Sequence, residues 1–349
     1  MFLIIDGSSM LSTNYYGTLP TMVLMAKTEE EKALYYDKIM QTKDGTYTNG
    51  VFSSLKQILR IIENQKPEGI AVVFDATRDT FRREIYKEYK GQRSATPIPL
   101  KEQFVTMENV LSEIGIPVFY NETYEADDFA GAIVKKLEKA GQECVLLSGD
   151  KDYYQLVSDK TKLWRIVTSN AKSKYEKVYN INFDEYQKRL NLPMGVFEIT
   201  PETGIIAEKE VLNLRPEQMV DYLAVVGDKA DNIPGVANVG PASIVPLLTE
   251  YESLDNIYMI IKAAVHQKKD KELASLWKDK LGVKKNPINA LLAKEDDAKL
   301  SKRLAAICTD IDDTLVPPNV EHYRLNINYK ALNSVINRYS FNSLRTFIK

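Results

Sequence analysis

The chain has 349 residues, 39.7 kDa, 44% hydrophobic and 27% charged residues. That is enough apolar content for a core and enough length for roughly two packed units of about 150 residues, which excludes global disorder and collagen-like architectures. The 46 basic and 48 acidic residues nearly cancel, so any polyanion partner has to be gripped by local patches. Two cysteines and two histidines exclude a disulfide framework and a four-thiolate zinc site and leave little room for imidazole metal ligation. The first residues lack the basic segment and apolar stretch of a signal peptide, and no run approaches 18 apolar residues, so the expectation is a cytoplasmic chain with no membrane partner.

In chain order, Phe2–Ile5, Ile70–Phe74, Pro117–Tyr120 and Glu143–Leu147 read as buried strands, being short, apolar and bounded by Gly, Pro or Asp. Between them, residues 51–64, 101–114 and 126–140 have apolar positions at helical spacing. The alternation predicts an open, mostly parallel sheet with helices on both faces. Residues 21–40 read as an extra surface helix or loop. From about Leu214 the pattern is helical, over 217–226, 242–251, 254–265, 272–281, 296–307 and 329–338. This places the join between about 205 and 215 and gives an α/β unit at 1–212 and a helical unit at 213–349.

Three predicted strands run into aspartates: Asp6, Asp75 and, through Gly149, Asp150. In a doubly wound sheet the carboxyl ends of the strands border the ligand crevice, so these three should converge. Glu125, Asp127 and Asp128 open a helix after the third strand. One acid would suffice as a cap, and three are an excess. Asp152 follows Asp150, and Asp228 and Asp231 come from the helical half. Nine like charges cannot share a pocket ionised without cations. Their donors are all hard oxygens, which selects Mg²⁺ or Mn²⁺ over zinc. Two such ions roughly 3.5–4 Å apart are an apparatus for in-line displacement at phosphorus.

From Arg78 to Arg93 six basic and three acidic residues interleave with three aromatics. Cations for phosphates and rings for bases are what a single-strand channel needs. A second stretch, 258–303, has twelve basic and six acidic residues and reads mainly as charged surface.

These motifs together resemble the bacterial 5′→3′ exonuclease and flap endonuclease family, in particular the 5′-nuclease domain found at the N-terminus of DNA polymerase I. The resemblance is carried by Ile5-Asp6-Gly7-Ser8-Ser9, residues 42–50, Val73-Phe74-Asp75 with Phe81-Arg82, and Tyr89-Lys90-Gly91-Gln92-Arg93. It continues in Tyr124-Glu125-Ala126-Asp127-Asp128, Ser148-Gly149-Asp150-Lys151-Asp152 with Gln155-Leu156, and Gly227-Asp228 with residues 231–236. It implies a parallel-sheet, PIN-like nuclease core with a helical arch near 78–100, then a helical DNA-binding region with a helix–three-turn–helix element near 227–250. By the same resemblance Asp75, Glu125, Asp127, Asp128 and Asp150, supported by Asp6, surround a first metal, and Asp152, Asp228 and Asp231 a second. Lys90 and Arg93 correspond to catalytic cations facing the scissile phosphate. Arg78, Arg82, Arg83, Tyr89, Gly235 and Gly240 fall among DNA-binding positions, Tyr89 as a stacking partner. The implied reaction is metal-dependent 5′→3′ exonuclease or flap-endonuclease hydrolysis of DNA in replication and repair, with two Mg²⁺ or Mn²⁺ ions per site. The implied partners are DNA with 5′ ends, flaps or nicks. RNA·DNA substrates and a separately encoded polymerase stay open, the chain having no polymerase segment of its own, and the expected state is a monomer.

Four departures from the family pattern are legible. Thr13 stands where an arginine is usual after the first aspartate. The hairpin reads Gly235-Val236-Ala237-Asn238-Val239-Gly240-Pro241, with Asn238 able to take a left-handed turn but no basic residues after it. Pro246 should interrupt the following helix. Residues 21–40 and 172–204 are longer than usual. The altered hairpin and Thr13 suggest a rival, a structure-specific DNA-binding protein with weak or no cleavage. A third possibility, a phosphatase nucleophile in Asp310-Ile311-Asp312-Asp313-Thr314-Leu315, meets the difficulty that few residues follow, and the segment reads as a turn.

Overall fold

The computed structural model describes residues 1–203 and 214–348. Strand β1 (Phe2–Asp6) is buried along its whole length, as both faces of a parallel sheet must be. Helices α1 (Gly7–Gly17), α2 (Thr21–Met25), α3 (Glu29–Ala33) and α4 (Asn49–Gln65) precede β2 (Gly69–Val73). The short α5 (Phe81–Ile85) and longer α6 (Ile98–Glu113) lead to β3 (Val118–Phe119), followed by α7 (Ala126–Lys139), β4 (Cys144–Ser148) and β5 (Thr161–Ile166). Helices α8 (Ser169–Tyr179) and α9 (Phe183–Arg189) then feed β6 (Val196–Ile199). The sheet order is β3-β2-β1-β4-β5-β6, parallel except for β6. The order reverses between β1 and β4, which makes the carboxyl ends of these two strands the switch-point crevice.

Alternate residues of β1 serve two cores. Phe2 and Ile4 face the layer holding Phe129, Ile133 and Leu137 of α7, whereas Leu3 and Ile5 face Leu11 of α1, Leu55 and Ile58 of α4 and Val110 of α6. The helical half comprises α10 (Met219–Val226), α11 (Pro241–Tyr251), α12 (Leu254–His266), α13 (Asp270–Leu281), α14 (Ile288–Ala293) and α15 (Glu295–Ala305). It extends the core on the α7 side through Leu223, Leu247, Ile257 and Leu304. Helix α16 (Tyr329–Tyr339) returns to the opposite face, where Leu332, Val335 and Ile336 join the core of α4 and α6. The Leu325 amide donates to the Glu68 carbonyl and the Asn328 amide to that of Ile114, stitching the return.

The expected join at 212/213 falls outside the described residues. Two differences from the sequence reading concern the arch and α11. The arch segment is helical only over Phe81–Ile85; Tyr86 leaves the helix in an extended conformation (φ −144°, ψ 102°), and beyond it the chain runs through turns, with Lys90 left-handed (φ 52°), and irregular chain to α6. Pro246 does not interrupt α11: only the Ala242 carbonyl loses its partner, while Ile244, Leu247 and Leu248 are buried on the core. The segment 308–316 is a turn, as expected, with the Leu315 and Val316 amides on the Asp312 carbonyl. No helix among the described residues is long and apolar enough to cross a membrane.

Candidate active site

A cleft of about 1060 Å³ opens at the carboxyl ends of the parallel strands. Eight of the nine expected acids line it: Asp6, Asp75, Glu125, Asp127, Asp150, Asp152, Asp228 and Asp231. Each is placed by a local backbone demand. Asp6 ends β1 and caps α1, its Oδ1 accepting from the Ser9 amide at 2.9 Å and its Oδ2 from Ser148 Oγ at 2.6 Å. Ser148 Oγ in turn accepts from the Asp150 amide at 2.9 Å, which ties the ends of β1 and β4 together. Asp75 reaches across from β2 to accept the Ala126 amide at the start of α7, at 3.0 Å. Asp150 accepts from the Asp152 amide at 3.1 Å.

Asp152 and the two acids from the helical half form the tightest group, with one oxygen of each of Asp152, Asp228 and Asp231 all within 4.8 Å of one another. Each of the three is at least 90% buried, and Asp152 Oδ1 has no hydrogen-bond partner among the described residues. Burial, with Asp150 next, pushes Asp152 well above the carboxylate range. Asp127 is also pushed well up, by burial and then by Asp128 and Glu125, and burial raises Asp6 to about 7. Hard oxygens crowded against their own ionisation, one of them orphaned, match a divalent cation site.

Cations already meet part of this charge. Burial would raise Glu125, but Lys90 and Arg82 outweigh it and hold the carboxyl low; Lys90 Nζ lies 2.8 Å from Glu125 and 3.7 Å from Asp231. Arg93 pairs with Asp231, and Lys151 with Asp228 at 2.8 Å. The Lys90 amide donates to the Asp231 carbonyl at 2.9 Å, so the left-handed residue is fixed by the helical half. Arg78 lines the cleft as well, its guanidinium donating to the carbonyls of Arg93 and Ser94.

Five expected site residues are placed elsewhere. Asp128 is fully buried outside the cleft: its two oxygens take a bidentate pair with Arg82, both contacts at 2.7 Å, plus the amides of Glu125 and Cys308. It has no free lone pair for an ion. Arg82, 1% exposed, also donates to the carbonyls of Leu304 and Ala306 and cannot reach DNA. Tyr89 is 3% exposed with its hydroxyl on Glu125, so its ring offers no stacking face. Gly235 is buried, its amide donating to Ser301 Oγ at 2.9 Å. Its positive φ and a would-be Cβ 2.5 Å from the Gly227 nitrogen make glycine obligatory for packing. Arg83 sits outside the cleft in a surface pair with Asp79. Gly240, by contrast, faces open space at the start of α11, and Asn238 takes the left-handed turn (φ 67°).

Sequence reading missed Ser8, Ser9, Lys101, Glu108, Lys151 and Arg165, all of which line the cleft. Ser8 and Ser9 follow the first aspartate and were readable as its neighbours. Arg165 stands on β5, a strand whose pattern was not recognised, and had no signal.

A family model described as "5'-3' exonuclease, N-terminal resolvase-like domain" matches residues 1–185, and one described as "5'-3' exonuclease, C-terminal SAM fold" matches 214–328. DNA polymerase I of Bacillus subtilis is 33% identical over 279 residues, covering 80% of this chain and 27% of that protein. The chain thus spans about a quarter of the length of such polymerase relatives. The 5'-3' exonuclease of Aquifex aeolicus is 29% identical over 325 residues, covering 93% of this chain and 88% of that protein. Among solved structures, the T5 5'-exonuclease with bound divalent metal ions (zinc) has a TM-score of 0.55 at 18% identity, covering 100% of this chain and 99% of that one, a likeness of fold. With its acid-lined switch-point cleft and both halves matched in order, the chain belongs to the 5′-3′ exonuclease family.

Proposed function

We propose that this protein is a metal-dependent 5′ nuclease that hydrolyses phosphodiesters of DNA bearing 5′ ends or flaps. The observation that carries this reading is the meeting of Asp152 with Asp228 and Asp231, acids from the two halves of the chain, within 4.8 Å in the cleft that already holds the strand-end acids. Relatives named as exonucleases and as DNA polymerase I support it, as do fold neighbours whose titles name divalent metal ions, a flap endonuclease and DNA. Two ions, Mg²⁺ or Mn²⁺, fit the donor set: Asp152, Asp228 and Asp231 would hold one, and Asp75, Glu125, Asp127 and Asp150, with Asp6 behind them, the other. When bound, such ions polarise a phosphoryl oxygen and lower the pKa of a water.

The chain's own residues do the rest. The Asp6–Ser148–Asp150 hydrogen-bond chain fixes the direction of Asp150. Lys90 and Arg93, held at the cleft by Glu125 and Asp231, place positive charge where a phosphate gathers negative charge. The proposed substrates extend to nicked DNA, with RNA·DNA and a DNA polymerase partner left open, and the proposed state is a monomer in the cytoplasm.

The test is cleavage of a 5′-labelled flap duplex with and without Mg²⁺ or Mn²⁺, beside Asp150→Ala. Short 5′ products that need the metal and vanish in the variant are expected. Flap binding without products in either metal, or wild-type cutting by Asp150→Ala, would overturn the reading.

A further inference from the structure

One cation of the cleft, Arg165, has a buried donor left unpaired among the described residues, whereas Lys101 is exposed to solvent. Lys90, Arg93 and Lys151 each face a carboxylate, and Arg78 is held by main-chain carbonyls. Arg165 lies on β5 in register with Ser148 of β4, lining the cleft beside Asp150 and Asp152. Its guanidinium carbon sits 5.9 Å from the centre of the Tyr154 ring. Its Nη1 is sealed from solvent and has no hydrogen-bond partner among the described residues, although nine carboxylates share the same cleft. A guanidinium cannot escape such a position by losing its proton, so this side chain gains a partner by turning toward an anion that enters the cleft.

Strand order says where that acceptor would lie. Lys90 and Arg93 belong to the segment that follows β2, on one side of the β1–β4 switch point, and Arg165 stands on β5, on the other. The acids of β1 and β4 lie between. A phosphodiester backbone whose cleaved linkage sits over those acids would pass Arg165 with a neighbouring phosphate, and the planar fork of a guanidinium suits two phosphate oxygens. We infer that Arg165 is a substrate-binding residue that takes the backbone phosphate adjacent to the one being cut, on the β5 side of the site. This rests on the nuclease reading above. Because the contact is to backbone, it carries affinity and register without base preference.

The test uses the full chain in steady-state cleavage of flap duplexes of several sequences in Mg²⁺, from about 50 to 200 mM salt, the range over which counterion release is most visible. Arg165→Gln should raise KM about 10-fold on every sequence with kcat nearly unchanged, and should reduce the slope of log(kcat/KM) against log salt by about 0.7–0.9, one phosphate contact. Arg165→Lys should restore the slope but only part of the affinity. A flap with one uncharged methylphosphonate linkage beside the cut should weaken the wild type as much as the substitution does, with no further loss in Arg165→Gln. An unchanged KM and slope in a wild type that cuts, a loss confined to thermal stability, or additive effects of substitution and methylphosphonate at every linkage would overturn the assignment of Arg165 alone. A wild type that neither binds nor cuts flaps would overturn the nuclease reading with it.

Discussion

The stretch from Arg78 to Arg93 makes cation–carboxylate pairs of three kinds, and their surroundings separate their roles. Arg82 and Asp128 form a sealed pair: every oxygen of Asp128 is satisfied, and the guanidinium bridges the arch base, the start of α7 and the end of α15. Lys90 and Arg93 form open pairs with Glu125 and Asp231 in a cleft where other acids stay crowded. Arg83 and Asp79 pair at the surface, with side chains 35% and 78% exposed. The same residue types, within a dozen positions, therefore face the core, the cleft and the solvent. What decides is whether a carboxylate keeps a lone pair facing the cleft.

The largest effect expected is on the sealed pair. Asp128→Asn deprives a buried guanidinium of its bidentate partner, leaving only the Glu125 carboxylate at 3.6 Å, and should cost about 3 kcal/mol of stability in urea or thermal unfolding, with cleavage lost only as folding is lost. If Asp128→Asn unfolded like the wild type but bound metal weakly, Asp128 would belong with the ligands after all. Next comes Lys90→Gln. Its cleavage rate should fall about 10²–10³-fold while unfolding changes by about 1 kcal/mol or less, if its charge acts on the reacting phosphate as proposed. A large stability loss with the rate unchanged would move Lys90 into the structural class.

Glu108 sharpens the contrast as a cleft acid with no cation beside it. Burial alone raises it to about 7. An acid whose folded pKa lies above its unfolded value contributes its stability below about pH 4.5 and loses it as pH rises through 7. Thermal unfolding of the wild type should therefore weaken between pH 5 and 8. Glu108→Gln should flatten that fall and be more stable at pH 8 by about 1 kcal/mol, a figure reduced for the side chain's partial exposure. The smallest effect belongs to Arg83→Ala, about 0.5 kcal/mol or less and no change in cleavage. A measurable rate loss there would return Arg83 to the DNA path.

Much of the architecture was legible because it rests on local pattern. The buried strands at 2–5, 70–74 and 143–147 and most helices of the second half follow from apolar periodicity, the strand expected at 117–120 being shorter and half-buried at Val118–Phe119, and strand-end aspartates converge because parallel strands share a carboxyl edge. Strands β5 and β6 escaped notice because Lys162, Arg165 and Glu198 break the apolar run; their pairing, including Trp164 Nε1 on Glu198, is a tertiary matter.

Residue type and spacing by themselves determined that acids would crowd one edge of a sheet, that the ligands would be oxygens and that a basic segment would hang beside them. They could not determine the direction of a side chain. Asp127 and Asp128 are adjacent, yet a helix turns successive residues about 100° apart, which leaves one facing the cleft and the other facing Arg82. Only the packing of α15 against the arch base made that guanidinium structural, and only the placement of β5 beside β4 brought Arg165 to the cleft without an anion of its own.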